Sequence, residues 1–139
     1  MRAWSALLLV LVLAGSAAAA ADDSQRAAAR AVIAKQEQAL GRDDAQTAYE
    51  QAAPGIRDLF PNADLFIGMV RNQYPPVYRH RSFVFGQAWD TGDAALVQSV
   101  AIQDAYGVDW TAEYSLARDA DGQWRITGCR LIKAPGARA

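Results

Sequence analysis

The side chains best suited to proton transfer or nucleophilic attack are few in this 139-residue sequence: one histidine, one cysteine and a scatter of acids. His80 stands in Arg79-His80-Arg81, between a proline pair and the first stretch of alternating apolar residues. A histidine titrates near neutral pH and can act as a general base, but the flanking arginines favour its neutral form, and its place at a strand end predicts a solvated side chain. Asp90, Asp93, Asp104, Asp109, Asp119 and Asp121 fall mostly in turns, where aspartate bonds its own local backbone. Asp104 and Asp109 end and begin adjacent strands and so can approach one another at a sheet corner. Glu113 is mid-strand and alternates toward water. Asp104, Asp109 and His80 are therefore the bases that an enzyme would have to use.

Other chemistries lack their parts. A metal site needs three or four ligands, which one histidine and one distant cysteine cannot supply, and no calcium-loop spacing is present. No serine stands in Gly-x-Ser-x-Gly and no glycine loop is built to cradle a phosphate. No cofactor is expected, and neither a metal nor a catalytic residue is assigned. Cys129 is the only cysteine, so no internal disulfide forms, and within a strand it reads as a small buried hydrophobe. Arg130 points to the opposite face. The aromatics Phe83, Phe85, Trp89, Trp110, Tyr114 and Trp124 fall on alternating strand positions, as core residues do and as the lining of an apolar pocket would. Gln98, between Leu96 and Val100, is polar in apolar company and needs a partner if buried. Phe85, Gln98, Trp110 and Tyr114 are the candidate ligand-binding residues.

These side chains depend on an order of elements that changes period halfway. From Asp22, with Asp22, Asp23 and Ser24 as caps, Ala29, Val32, Ile33, Gln36 and Leu40 recur at helical spacing, and Gly41 closes the helix. Asp43 or Asp44 caps a second helix with Ala45, Ala48, Tyr49 and Ala52 on one face. Pro54 begins a third, with Ile56, Leu59 and Phe60 apolar. Asn62 caps a fourth, striped by Leu65, Phe66, Met69 and Val70. Pro75-Pro76 then predicts a stiff extended connector over Tyr74 to Tyr78. Four strands follow over 82–89, 95–103, 108–118 and 123–133, the second apolar on both sides in places, as a strand buried on two faces would be. Helices followed by an antiparallel meander specify an α+β fold, helices packed on a four-stranded antiparallel sheet.

The N-terminus adds a destination. Arg2, the apolar run Ala6 to Ala14, the break at Gly15-Ser16 and the alanines Ala17 to Ala21 have the pattern of a signal peptide over residues 1–21. The strongly apolar part is too short for a span of roughly 18–20 residues, and no cysteine at the exit offers a lipid anchor. Residues 22–133 then form one domain and 134–139 a loose tail, in a secreted, periplasmic protein. Without Arg2, thirteen basic face fifteen acidic side chains, a net charge of −2. Near neutrality, and with no basic block, the chain has no electrostatic footprint for nucleic acid or for an anionic membrane surface.

Four motifs carry a resemblance: Ala53-Pro54-Gly55-Ile56-Arg57, Met69-Val70-Arg71, Tyr74-Pro75-Pro76-Val77-Tyr78-Arg79, and Trp124-Arg125-Ile126-Thr127-Gly128-Cys129-Arg130-Leu131. Together they resemble a family of small secreted bacterial proteins known as domain of unknown function 4864, which implies no activity, ligand or catalytic residue. The order of elements resembles the nuclear-transport-factor-two-like, cystatin-like or SnoaL-like cone, in which a curved sheet wraps the first helices around a cavity. The expected role is non-catalytic: binding a small apolar ligand or an envelope protein. The alternatives are a SnoaL-like cavity enzyme and a structural module that homodimerises through the exposed sheet face.

Overall fold

A computed structural model describes residues 15–135. The first helix, α1 (Gly15–Gly41), buries Ala29, Ile33, Gln36, Ala39 and Leu40 along one stripe. It begins ahead of Asp22, so Asp22, Asp23 and Ser24 lie inside the helix rather than capping it; the apolar run Ala6 to Ala14 lies outside the described residues. Gly41 is its last residue, but the left-handed residue that turns the chain is Asp43, at φ 57°. Aspartate tolerates that conformation better than most side chains. Here the Tyr78 hydroxyl and the Arg79 guanidinium (3.0 and 3.1 Å) donate to the Asp43 carboxylate, while Arg79 also donates at 2.9 Å to the Leu40 carbonyl, which accepts from the Asp43 amide as well.

Three short helices follow with the expected starts. Asp44 caps α2 (Ala45–Glu50) by accepting from the Thr47 amide, Pro54 opens α3 (Pro54–Leu59), and Asn62 caps α4 (Ala63–Gln73) by accepting from the Leu65 amide at 2.9 Å. The buried stripe of α4 is Ala63, Phe66, Ile67 and Val70; Leu65, expected there, is 55% exposed. The proline pair does not make an extended connector. Pro75 takes the first position of a single-turn helix, α5 (Pro75–Tyr78), because a missing amide hydrogen costs nothing in a first turn.

The second half is the antiparallel meander β1 (His80–Gly92), β2 (Ala95–Asp104), β3 (Asp109–Arg118) and β4 (Trp124–Lys133), in that spatial order. The helices cover one face of it, an α+β arrangement. On that face Leu96, Gln98, Val100 and Ile102 of β2 pair with Leu116, Tyr114, Ala112 and Trp110 of β3, and most are fully buried. Strand β2 is buried on that face only; on the other, Val97 and Ser99 are half-buried and Ala101 is exposed. Each buried Leu, Ile or Val stabilises the fold by about 1.5–3 kcal/mol.

Two bulges break the simple alternation. In β1, Gly86 and Gln87 together oppose Ser99, so Phe85 faces inward but Trp89 pairs with Val97 on the outer face and is 42% exposed. Gln98 holds this bulge. Its amide nitrogen donates to the carbonyls of Gly86 (3.0 Å), Gln87 (3.3 Å) and Ser99 (2.8 Å), and its Oε1 accepts from Arg30 Nε at 2.9 Å. In β4, an extra residue between Ile126 and Gly128 turns both Ile126 and Cys129 inward, three positions apart.

Replacing Gln98 by leucine should cost about 1–3 kcal/mol, because it removes every bond this fully buried side chain makes to the carbonyls of Gly86, Gln87 and Ser99 and to Arg30. Urea denaturation measures this, and a loss no larger than that of an exposed substitution would show that Gln98 does not hold the bulge.

Candidate ligand-binding cavity

The helices do not fill all the space beneath β3 and β4. A cavity of about 220 Å³ remains there. Gln36 of α1, Ala52, Phe66 and Val70 form its buried helical floor, and Tyr114 of β3 and Ile126 of β4 its sheet side. Its half-buried rim is Ile56 and Phe60 around α3, Met69 of α4, Tyr74, and Gly128 and Cys129 of β4. Phe66 is held in place by two aromatic contacts, a tilted one with Tyr49 at 5.7 Å and an edge-to-face one with Phe60 at 6.0 Å. The Tyr49 hydroxyl in turn donates to the carbonyls of Phe60 and Arg57 (2.5 and 3.0 Å), which fixes α3 over the opening.

No charged side chain lines this space. Burial pushes the Tyr114 phenol well above its ordinary range and raises Tyr74 in the same way. It also pushes the Cys129 thiol up to about 12. All three stay neutral at physiological pH. Cys129 is thus a protonated thiol on an apolar wall, the opposite of an activated nucleophile. A polar depression of about 410 Å³ at the other end of the sheet is edged by Arg26, Arg118, Asp90 and Asp93, and its charges offset one another.

Of the four expected ligand-binding residues, only Tyr114 reaches the cavity. Phe85 packs edge-on against Phe83 at 5.9 Å, beneath the Arg30 guanidinium. Trp110 lies at the sheet corner, its indole donating to Asp104 Oδ2 at 3.0 Å. Gln98 is fully buried, and the bonds it makes are all within the protein. Trp124 is at the far end, bonded to Gln25 at 2.8 Å. The residues the strand pattern missed come from the helices. One signal was available: Gln36 is the single polar member of the buried stripe of α1.

The candidate bases are also occupied. His80 is not a solvated strand end; its side chain is 13% exposed and both ring nitrogens are engaged. Nδ1 lies 3.0 Å from the Pro76 carbonyl and Nε2 lies 2.8 Å from Glu37 Oε1. Both ring nitrogens therefore face an oxygen of the protein, and neither is free for a substrate. Asp104 accepts from the Trp110 indole and from the amides of Tyr106 and Val108 (both 2.9 Å), and these bonds, the indole's first, hold its carboxyl below the ordinary range. Asp109 meets the Gln103 amide at 3.4 Å. Glu113 pairs with Arg130 on the outer face at 3.2 Å. None of these groups lines the cavity, and among the described residues no three His, Cys, Asp or Glu side chains gather as metal ligands.

Residues 22–139 match the family model described as a domain of unknown function, DUF4864. The chain belongs to the DUF4864 family. No curated protein and no solved structure matches it. The DUF4864 match spans every residue of the cavity, and each of the four motifs noted in the sequence supplies lining: Ile56; Met69 and Val70; Tyr74 and Val77; Ile126, Gly128 and Cys129.

The protonated state of Cys129 has a chemical consequence. Although the thiol borders open space, iodoacetamide should label the native protein on the order of a hundredfold more slowly than the urea-unfolded chain at mildly alkaline pH. Labelling at equal rates would contradict a buried neutral thiol.

Proposed function

We propose that this DUF4864 chain is an exported, non-catalytic module that binds a small apolar molecule beneath β3 and β4. The observation that carries this reading is a cavity of about 220 Å³ walled by apolar side chains, with a few neutral polar groups among them. Empty apolar space forfeits dispersion contacts and lowers stability, so an occupant that fills it is favoured. Export rests on Arg2, the apolar run and the alanine exit, and is supported by the start of the family match at Asp22. A cavity between helices and a bulged antiparallel sheet is also what the cone-fold resemblance implies. A non-catalytic role is supported by the hydrogen bonds that engage both ring nitrogens of His80 and both carboxylate oxygens of Asp104.

The outer sheet face favours a second reading, association with an envelope protein or another copy. Val84, Ala101, Thr111 and Ile132 form one row across it, and Val84 and Ile132 are 60% and 39% exposed. The next row, however, is Ser99, Glu113 and Arg130, with the ion pair in it. It separates the apolar row from Trp89 and divides the contiguous apolar area that a stable interface needs.

Titrating the mature protein with toluene and with indole, followed by amide chemical shifts, tests the cavity reading. Saturable shifts should centre on Phe66, Val70, Tyr114 and Cys129. Shifts that are absent, or that centre on the outer sheet face, would overturn it.

A further inference from the structure

Resting on that cavity reading, we infer that the ligand is a small neutral molecule with a body of one or two rings and a single hydrogen-bonding group, of the phenol or indole class, bound through Gln36 and Tyr114. Three independent features lead to this class.

The first is size. About 220 Å³ is below the roughly 300–1,000 Å³ of sites for drug-sized ligands, but above the ~150 Å³ of an engineered apolar cavity that takes up benzene. A body of one or two rings is of the size to fill it. The second is charge. No cation or anion lines the space, and the phenols and thiol that do are held neutral by burial. A carboxylate or ammonium would lose its hydration there without gaining a partner.

The third is a pair of polar atoms with bonding capacity toward the cavity. Gln36 is 6% exposed, and its amide nitrogen donates to the Ala48 carbonyl at 3.1 Å. That bond orients the amide and leaves Oε1 as an acceptor with no donor among the described residues, on the wall of the cavity. Tyr114 is 2% exposed, and its hydroxyl lies against Cys129 Sγ, a weak partner, with no nitrogen or oxygen partner among the described residues. Neither atom is sealed away from the cavity, since the buried side-chain atoms left without a partner among the described residues are Arg26 Nε and Arg57 Nε, so both can bond what enters it. A ligand hydroxyl or ring N–H can donate to Gln36 Oε1, and a ligand oxygen can accept from Tyr114. Met69 on the rim supplies a side chain flexible enough to pack against rings of different outline.

The test compares near-isosteric probes by calorimetry: phenol, toluene and benzoate on the wild type, Gln36→Leu and Tyr114→Phe. Toluene, which offers no hydrogen-bonding group, controls each variant for fold and cavity volume. Phenol should bind the wild type about three- to tenfold more tightly than toluene, the worth of one net hydrogen bond, and benzoate should be weaker than both. The phenol-to-toluene ratio should fall toward one in at least one variant. Toluene binding as tightly as phenol, benzoate matching phenol, or a ratio unchanged in both variants would overturn the inferred class while leaving the cavity reading intact. No binding by any of the three to the wild type would overturn both.

Discussion

Two backbone hydrogen bonds decide where the helical layer meets the sheet. The Ile126 amide donates to the Gln51 carbonyl at 2.9 Å, and the Ala53 amide donates to the Ile126 carbonyl at 2.8 Å, so the segment after α2 pairs in parallel with the first half of β4. Strand β4 is an edge of the sheet, and this pairing satisfies part of its free side. Just beyond it the β4 bulge inserts its extra residue, and α3 leaves the strand instead of continuing along it. The space between the departing helix and the rest of β4 is the cavity. Its outer limit is set by the Tyr49 hydroxyl, which ties the far end of α3 back to α2.

The same geometry accounts for the cavity's chemistry. Because Ile126 and Cys129 both face inward across the bulge, the thiol comes to lie beside Tyr114, and burial then keeps both neutral. The charged groups that carry proton chemistry elsewhere are spent on structure. His80 ties β1 to α1 and α5 through Glu37 and Pro76, Asp43 ties the end of α1 to Tyr78 and Arg79, and Asp104 closes the β2–β3 turn. The wall itself carries no charge, as the proposed binding of a small neutral molecule requires.

What could be read from the sequence were the parts governed by local chemistry. Asp44, Pro54 and Asn62 start helices because capping is decided within three or four residues, and the turn residues after Arg118 place the last hairpin for the same reason. Facing was less legible. Alternation assumes an unbroken ladder, and one inserted residue at Gly86-Gln87 sends Trp89 outward. Another near Gly128 turns Cys129 inward, which alternation from Trp124 and Ile126 would not do. Glycine within each strand was the available sign. His80 read as solvated because its partner, Glu37, is 43 residues away on a helix. The cavity was illegible for a deeper reason: it belongs to no element, being the volume left where α3 and α4 fail to close on β4. Only Tyr114 among its lining was expected as a ligand contact, whereas the polar exception in α1, Gln36, was visible and unused.

The proposed binding depends on one piece of unfilled space. A crystal of the mature protein pressurised with xenon examines it directly, since xenon collects in apolar cavities of this size. The account predicts a xenon site between Phe66, Val70, Tyr114 and Cys129, with the bulge at Gly86-Gln87 and the pairing at Ile126 unchanged. A collapsed interior, with Phe60 or Met69 filling that volume and no xenon bound there, would contradict it.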